Sequence, residues 1–267
     1  MTETAQQAVL VEKHGRIAVV SLNSPEKLNA LGPDNVHELK RAVDGLDEDG
    51  ETTVMVLTGK GRGFCSGLDL SRVPQLSGKP LQSRLTWPRP RFDLHPTFVL
   101  RNANFPVIGA INGVAAGAGF GLALACDLRI ASEQAKLACV FMKRGLMPDF
   151  GLNFTLSKVV GSQKALELIL TNATLDAEEA LRLGIVLKVV PHQQLMAAAM
   201  ELAEKIAKGP ALAIAQTKRG VYRAESSTLE SDLEIGSYGQ QRCMTSEDAK
   251  EGAAAFFEKR EPKFKGR

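Results

Sequence analysis

The chain has 267 residues, a formal net charge of +3, 44% hydrophobic and 5% aromatic residues. That length can bury a large core and suits one domain with a smaller appendage. No apolar run is long enough to span a bilayer, and no basic stripe is interleaved with aromatics, so membrane-embedded and nucleic-acid-binding roles are excluded.

The stretch Met1–Lys13 is polar and then strand-like, which does not read as a signal peptide. Cys65, Cys126, Cys139 and Cys243 show no CxxC or Cys/His spacing. They suit reduced thiols in a cytoplasmic protein, with no metal site.

In chain order, Ala8–Val11 and Ile17–Leu22 flank His14-Gly15 as a β-hairpin. After the loop Ser24–Leu31, Pro33 opens a helix whose apolar face is Val36, Leu39, Val43 and Leu46. Val54–Leu57 reads as a buried strand, followed by a glycine-rich loop from Gly59 to Leu70. Ser71–Pro96, with the sole Trp at Trp87, reads as a loop or loosely helical cover. Phe98–Ala103 ends a helix, and Pro106 starts the strand Val107–Ile111. A second small-residue loop, with Gly113, Gly117 and Gly119, then opens into an apolar helix.

Leu128–Ala131 and Ala135–Ala138 are two short strands, and Gly145–Gly151 leads into a helix ending near Val160. Ser162 is expected to cap a helix through Leu170, and Asp176 with Glu179 to form a capping box closed by Gly184. Ile185–Val190 reads as a strand stopped by Pro191. Beyond it His192–Lys208, Ala211–Arg223, Thr228–Met244 and Ser246–Arg260 all read as helices. Strand–strand–helix units followed by helices alone predict an α/β core over 1–208 and a helical region over 209–267.

Two glycine-rich loops each follow a strand and precede a helix. On neighbouring strands they would aim two backbone N–H groups at one oxygen, which is oxyanion-hole geometry; each could also be a tight turn. Gly117-x-Gly119-x-Gly121 lacks dinucleotide spacing, no P-loop lysine follows, and no G-x-S-x-G nucleophile elbow occurs. Asp149, amid Leu146, Met147, Phe150, Leu152 and Phe154, has two readings. Apolar surroundings would raise its pKa and suit a general base, whereas its place before a helix suits an N-cap. Asp69 and Asp127 read as structural acids in turns, and His14, His37, His95 and His192 are scattered, with His95 read as a surface side chain.

Phe64-Cys65-Ser66-Gly67-Leu68-Asp69-Leu70, then Pro106–Gly113, Gly117-Ala118-Gly119 and Cys126-Asp127, resembles the crotonase (enoyl-CoA hydratase/isomerase) superfamily. The resemblance continues through Lys164–Leu168 and Ala177–Gly184 to Phe256–Arg260, almost the whole chain in order. It implies a spiral of ββα units with a C-terminal helical trimerisation region, giving a homotrimer or a dimer of trimers. The partner it implies is an acyl-CoA thioester, with no cofactor beyond the coenzyme A of the substrate.

The resemblance places the oxyanion donors at the amides of Leu68 and Ala118. It places coenzyme A along Lys27, Leu28, Ala30, Ser66, Gly67, Leu68, Asp69 and Leu70, with Lys259 facing its phosphates from the same or a neighbouring subunit. Lys60 and Arg62 are further candidates. The acyl pocket would include Gly121, Phe141 and Leu146. The two hydratase glutamates would fall at Gly121 and Phe141, so both are absent. Gly145-Leu146-Met147-Pro148-Asp149 resembles the 1,2-epoxyphenylacetyl-CoA isomerase and Δ3,Δ2-enoyl-CoA isomerase branch, which implies Asp149 as catalytic base. The alternatives are a hydratase with a non-standard acid, a 4-chlorobenzoyl-CoA dehalogenase-like enzyme, and a non-catalytic acyl-CoA binder.

Overall fold

The computed structural model describes residues 7–69 and 92–266. Leu70 and most of the Ser71–Pro96 segment lie outside the described residues.

A six-stranded sheet runs in the order β1 (Val9–His14), β2 (Ile17–Leu22), β3 (Val54–Gly59), β5 (Val107–Ile111), β7 (Leu128–Ser132), β10 (Lys188–Val190). Only β1 and β2 pair antiparallel; the other neighbours are parallel. The second sheet has four strands, β4 (Gly63–Cys65), β6 (Val114–Ala116), β8 (Lys136–Ala138) and β9 (Thr174–Asp176). Each of β3, β5 and β7 passes through a short loop into the next strand of the second sheet, so the chain advances in ββα steps. This is an α/β fold of spiral type.

Strand sequence explains the layering. Every residue of β2 and β3 is buried, as expected where both faces of a parallel sheet are covered. Ile17, Val19, Val54, Val56, Ile108 and Ile130 point to one face, where Leu195, Ala199 and Ala203 of α7 (Leu195–Ala207) cover them. Ala18, Val20, Leu22, Met55, Leu57 and Ile111 point to the other, against Leu39, Val43 and Leu46 of α1 (Pro33–Glu48). Also on that side is α3 (Ala118–Ala125), buried at every position. An all-apolar helix with no polar face suits only the interior.

The remaining helices are α2 (Pro96–Asn102), α4 (Leu152–Val160), α5 (Ser162–Leu170), α6 (Ala177–Arg182), α8 (Ala211–Ala224), α9 (Leu229–Met244) and α10 (Glu247–Glu258). α8 is tied to the core by Lys218, which is 8% exposed. Its ammonium donates to the carbonyls of Leu100 and Phe105 and pairs with Asp127 at 2.9 Å. Asp127 also accepts from the Val107 amide at 2.6 Å and from the Tyr222 hydroxyl.

Several expectations shift. β4 and β6 occupy stretches read as loops, because pairing with each other and with β8 outweighs the poor strand propensity of small residues. The strand expected over Ile185–Val190 shortens to Lys188–Val190, since the amides of Ile185 and Val186 bond back to the Ala180 carbonyl at the end of α6. Ser162 does not cap α5: Gly161 is the N-cap and Ser162 the first helical residue. The helix expected from His192 begins at Leu195, preceded by a 3-10 turn. Asp176 does cap α6, accepting from the Glu179 amide at 2.8 Å.

Candidate active site

The two small-residue loops leave the second sheet side by side because β4 and β6 are parallel neighbours. Two buried asparagines hold the approach. Asn112 donates to the carbonyls of Gly59 and Gly61 at 2.9 and 3.0 Å, and Asn29 donates to those of Lys60 and Gly63 at 2.9 and 2.7 Å. Four backbone acceptors that would otherwise be stranded beneath the loop are thereby satisfied. Helix α3 then packs hard against β4: a Cβ on Gly119 would stand 1.9 Å from the Cys65 carbonyl oxygen, so only glycine permits this approach.

Gly67 has φ +102, and a Cβ there would meet the Ala116 carbonyl oxygen at 2.7 Å and the Ala118 nitrogen at 3.5 Å. The first loop therefore runs against the start of α3. On its other side, Leu31 donates to the Gly67 carbonyl at 2.7 Å and accepts from the Asp69 amide at 3.0 Å. In such a parallel bridge the amide of the intervening residue, Leu68, faces away from Leu31. The Ala118 amide is the first of its helix and has no intrahelical acceptor. Among the described residues no acceptor pairs with the amide of Leu68 or of Ala118. Both residues line one cleft with Ser66, Phe141, Arg144 and Leu146. Two backbone amides without acceptors, on residues that line one cleft, are the kind of donor pair an oxyanion needs.

Asp149 is not a helix cap. Gly151 holds the N-cap of α4 in a left-handed conformation, φ 71, and Asp149 contributes only its backbone carbonyl, accepting from Leu152 at 3.0 Å. Among the described residues its carboxylate has no partner outside its own backbone. Burial pushes its pKa above the ordinary 3.8, against a smaller lowering by its own amide. The residue is nonetheless exposed to solvent and stands outside the lining of the cleft that Leu68 and Ala118 share, so the rise is a modest one.

The next residue, Phe150, fixes the loop that carries the acid. Its carbonyl accepts from the Thr97 hydroxyl at 2.7 Å, and its ring lies 4.9 Å from that of His95. Its own backbone presses on α3: a Cβ on Gly121 would stand 2.7 Å from the Phe150 Cβ and 2.8 Å from its carbonyl oxygen. One turn of α3 thus separates the Ala118 amide from the loop bearing Asp149. His95 is not the surface side chain expected; it is half-buried and burial pushes its pKa down, which favours the neutral imidazole.

The residues assigned to coenzyme A gather along one edge. Ser66 donates through its amide to Leu28 at 2.9 Å and through its hydroxyl to Lys27 at 3.0 Å, and Lys27 pairs with Asp69 at 3.2 Å. Lys27, Ala30 and Asp69 face a wide groove also lined by Lys40 and Arg41. Lys60 instead pairs with Glu12 at 3.4 Å. Lys259 closes α10 in the left-handed conformation, φ 53, and lines none of these cavities within its own chain. Leu70 lies outside the described residues. Asn29, Asn112 and Arg144 were not singled out by sequence reasoning; the paired Asn-Ala-Leu and Asn-Gly stops at strand-following loops were the available signal for the first two.

Parallel strands that hand two free amides to one cleft, on a two-sheet α/β spiral, define the crotonase fold. The chain belongs to the enoyl-CoA hydratase/isomerase family, whose family model matches residues 12–267. It is 35% identical to the short-chain-enoyl-CoA hydratase of Clostridium acetobutylicum, over 94% of this chain and 95% of that protein. It is equally 35% identical to the 1,2-epoxyphenylacetyl-CoA isomerase of Escherichia coli K12, with coverages of 94% and 95%. Its structure is similar to that of an enoyl-CoA hydratase from Bacillus anthracis, with TM-score 0.88, 32% identity, and coverage of 98% and 100%. The protein is an enzyme of this family.

Proposed function

We propose that this enzyme is an enoyl-CoA isomerase that moves a Δ3 double bond to Δ2, with Asp149 as the base. The observation that carries the reading is the pairing of a filled position with a free acid. Gly121, where the hydratase pattern has its first glutamate, faces the Phe150 backbone with no room for a side chain, and Phe141 stands at the second. Asp149 is neither cap nor ion-pair partner among the described residues, and its raised pKa makes it a stronger base than an ordinary aspartate.

In this mechanism the thioester oxygen sits between the Leu68 and Ala118 amides. The Asp149 carboxylate takes a proton from C2 of a 3-enoyl-CoA. The C2–H electrons form the C1=C2 bond of a dienolate, and the carbonyl π electrons move to its oxygen, which the two amides hold. C1=C2 shifts to C2=C3 only as the C3=C4 electrons take up the returning proton. Protonated Asp149 returns the proton to C4 and the carbonyl reforms, giving the 2-enoyl-CoA. One acid handles both transfers because no water is added. No cofactor is required beyond the coenzyme A of the substrate, which would lie along Lys27, Leu28, Ala30 and Ser66–Asp69.

The active form is a homotrimer or a dimer of trimers assembled through the C-terminal helices. α9 buries none of its residues within the chain, and Leu229, Leu233, Phe256 and Phe257 are exposed on α9 and α10. A second copy would then be what brings Lys259 to coenzyme A phosphates. Incubating the purified protein separately with 3-enoyl-CoA and 2-enoyl-CoA tests the reading. Double-bond migration supports it, whereas hydration of the 2-enoyl-CoA, or binding with no turnover of either, contradicts it.

A further inference from the structure

Among the described residues that line the oxyanion cleft, one is a cation. Arg144 ends the 3-10 turn Met142–Arg144, between Phe141 and Leu146 on the lining. The turn is closed by three backbone bonds: Arg144 to Phe141, Gly145 to Met142, and Leu146 to Phe141, at 2.9, 3.1 and 3.1 Å. The Lys143 backbone N–H ties it to Asn172, donating to Oδ1 at 2.9 Å. Arg144 is exposed to solvent, with its guanidinium anchored at one point on the wall. Its Nη1 donates to the Val140 carbonyl at 3.0 Å, and Val140 is itself a wall of the cleft beside Gly117. Among the described residues no carboxylate pairs with Arg144.

Beside it the wall carries Leu68, Ala118, Val140, Phe141 and Leu146, and apart from the Ser66 hydroxyl its other side chains are apolar. A plain hydrocarbon chain entering it would strip water from the guanidinium and offer no acceptor in exchange, which is unfavourable. A chain that carries its own carboxylate would supply a bidentate, charge-assisted partner. Coenzyme A also brings anions, but its pantetheine arm holds the phosphates far from the thioester, whereas Arg144 shares the cleft with the thioester-binding amides.

We propose that Arg144 is a specificity determinant that reads a second anionic group on the acyl chain, so that the preferred substrates are CoA half-thioesters of dicarboxylic acids. This rests on the acyl-CoA site proposed above and adds the chemical class of its acyl group.

The test is binding, with unreactive probes, so that it is independent of turnover. Calorimetry would compare glutaryl-CoA and adipyl-CoA with pentanoyl-CoA and hexanoyl-CoA, matched in carbon count, on wild type, Arg144→Leu and Arg144→Lys. Charged hydrogen bonds of this kind are worth about tenfold to a hundredfold in affinity. Wild type should favour the better-fitting dicarboxylyl thioester by that factor, Arg144→Leu should erase the preference, and Arg144→Lys should keep part of it. The same preference should persist in pantetheine thioesters, which lack the nucleotide phosphates.

Equal or tighter wild-type binding of the neutral chains overturns the proposal, as does a preference that survives Arg144→Leu. An Arg144→Leu loss common to all CoA thioesters and absent with pantetheine thioesters would assign the side chain to a phosphate and also overturn it. If wild type binds none of the four CoA thioesters, the acyl-CoA site itself is refuted. Failure of the isomerase reading shows up separately, as Asp149-independent turnover.

Discussion

Gly121 and Phe150 press on one another: a Cβ on the glycine would stand 2.7 Å from the phenylalanine Cβ and 2.8 Å from its carbonyl oxygen. The contact joins the helix that begins at Ala118 to the loop that carries Asp149, and it leaves no room at the first hydratase position.

Restoring that acid should therefore damage the enzyme rather than convert it. Gly121→Glu must displace the Phe150 backbone, and overpacking a core costs about 1–3 kcal/mol. Denaturant unfolding should show a lower midpoint with unchanged slope, and isomerisation should fall with no hydration of 2-enoyl-CoA in its place. A stable Gly121→Glu variant with hydratase activity would remove the steric argument.

Asp149→Asn should cut isomerisation by about 10²–10⁴-fold, the usual worth of a positioned acid–base group, with acyl-CoA affinity retained. In wild type the working form is the carboxylate, so kcat/KM should fall as pH drops through a pKa above the ordinary aspartate value of 3.8. The stability sign is the reverse. A carboxyl whose folded pKa is raised contributes stability that is present below its unfolded pKa and lost as pH rises through the folded one. At neutral pH Asp149→Asn should thus be at least as stable as wild type, which thermal unfolding at pH 4 and pH 7 would read.

Gly67 combines φ +102 with a Cβ position 2.7 Å from the Ala116 carbonyl oxygen. Gly67→Ala must move the Leu68 amide away from that of Ala118. Losing one oxyanion donor costs about 10²–10³-fold in kcat, so the variant should lose turnover by that factor while the pH dependence set by Asp149 stays in place. Steady-state kinetics across pH separate the two effects.

Lys218 is the ammonium at the centre of the α8 anchor, where burial pushes its pKa down and Asp127 pulls it back up. Lys218→Ala leaves Asp127 partly buried without its cation, and breaking such a pair costs about 3–5 kcal/mol. The folded fraction should retain isomerase activity, because neither residue lines the oxyanion cleft. Urea unfolding with a parallel assay checks both halves.

Where local chemistry dominates, the sequence was readable. The β1–β2 hairpin, the Val36–Leu46 helical face and the Asp176 cap follow from turn residues, periodicity and a side-chain oxygen. β4 and β6 were not readable, because Gly63–Cys65 and Val114–Ala116 become strands only through each other. The local sequence around Asp149 suited a cap as well as a base; a glycine with positive φ, Gly151, takes the cap instead. His95 looked like a surface residue because its partner, Phe150, is far along the chain. Arg144 gave no sign of itself, since an arginine in a polar turn is ordinary until the fold sets that turn beside Ala118.

The most direct measurement follows a label. A 3-enoyl-CoA deuterated at C2 is incubated with enzyme and the product examined by NMR. If one carboxyl carries the proton from C2 to C4, part of the deuterium appears at C4 with wild type, and Asp149→Asn forms product about 10²–10⁴-fold more slowly. Undiminished isomerisation by Asp149→Asn would contradict the account outright.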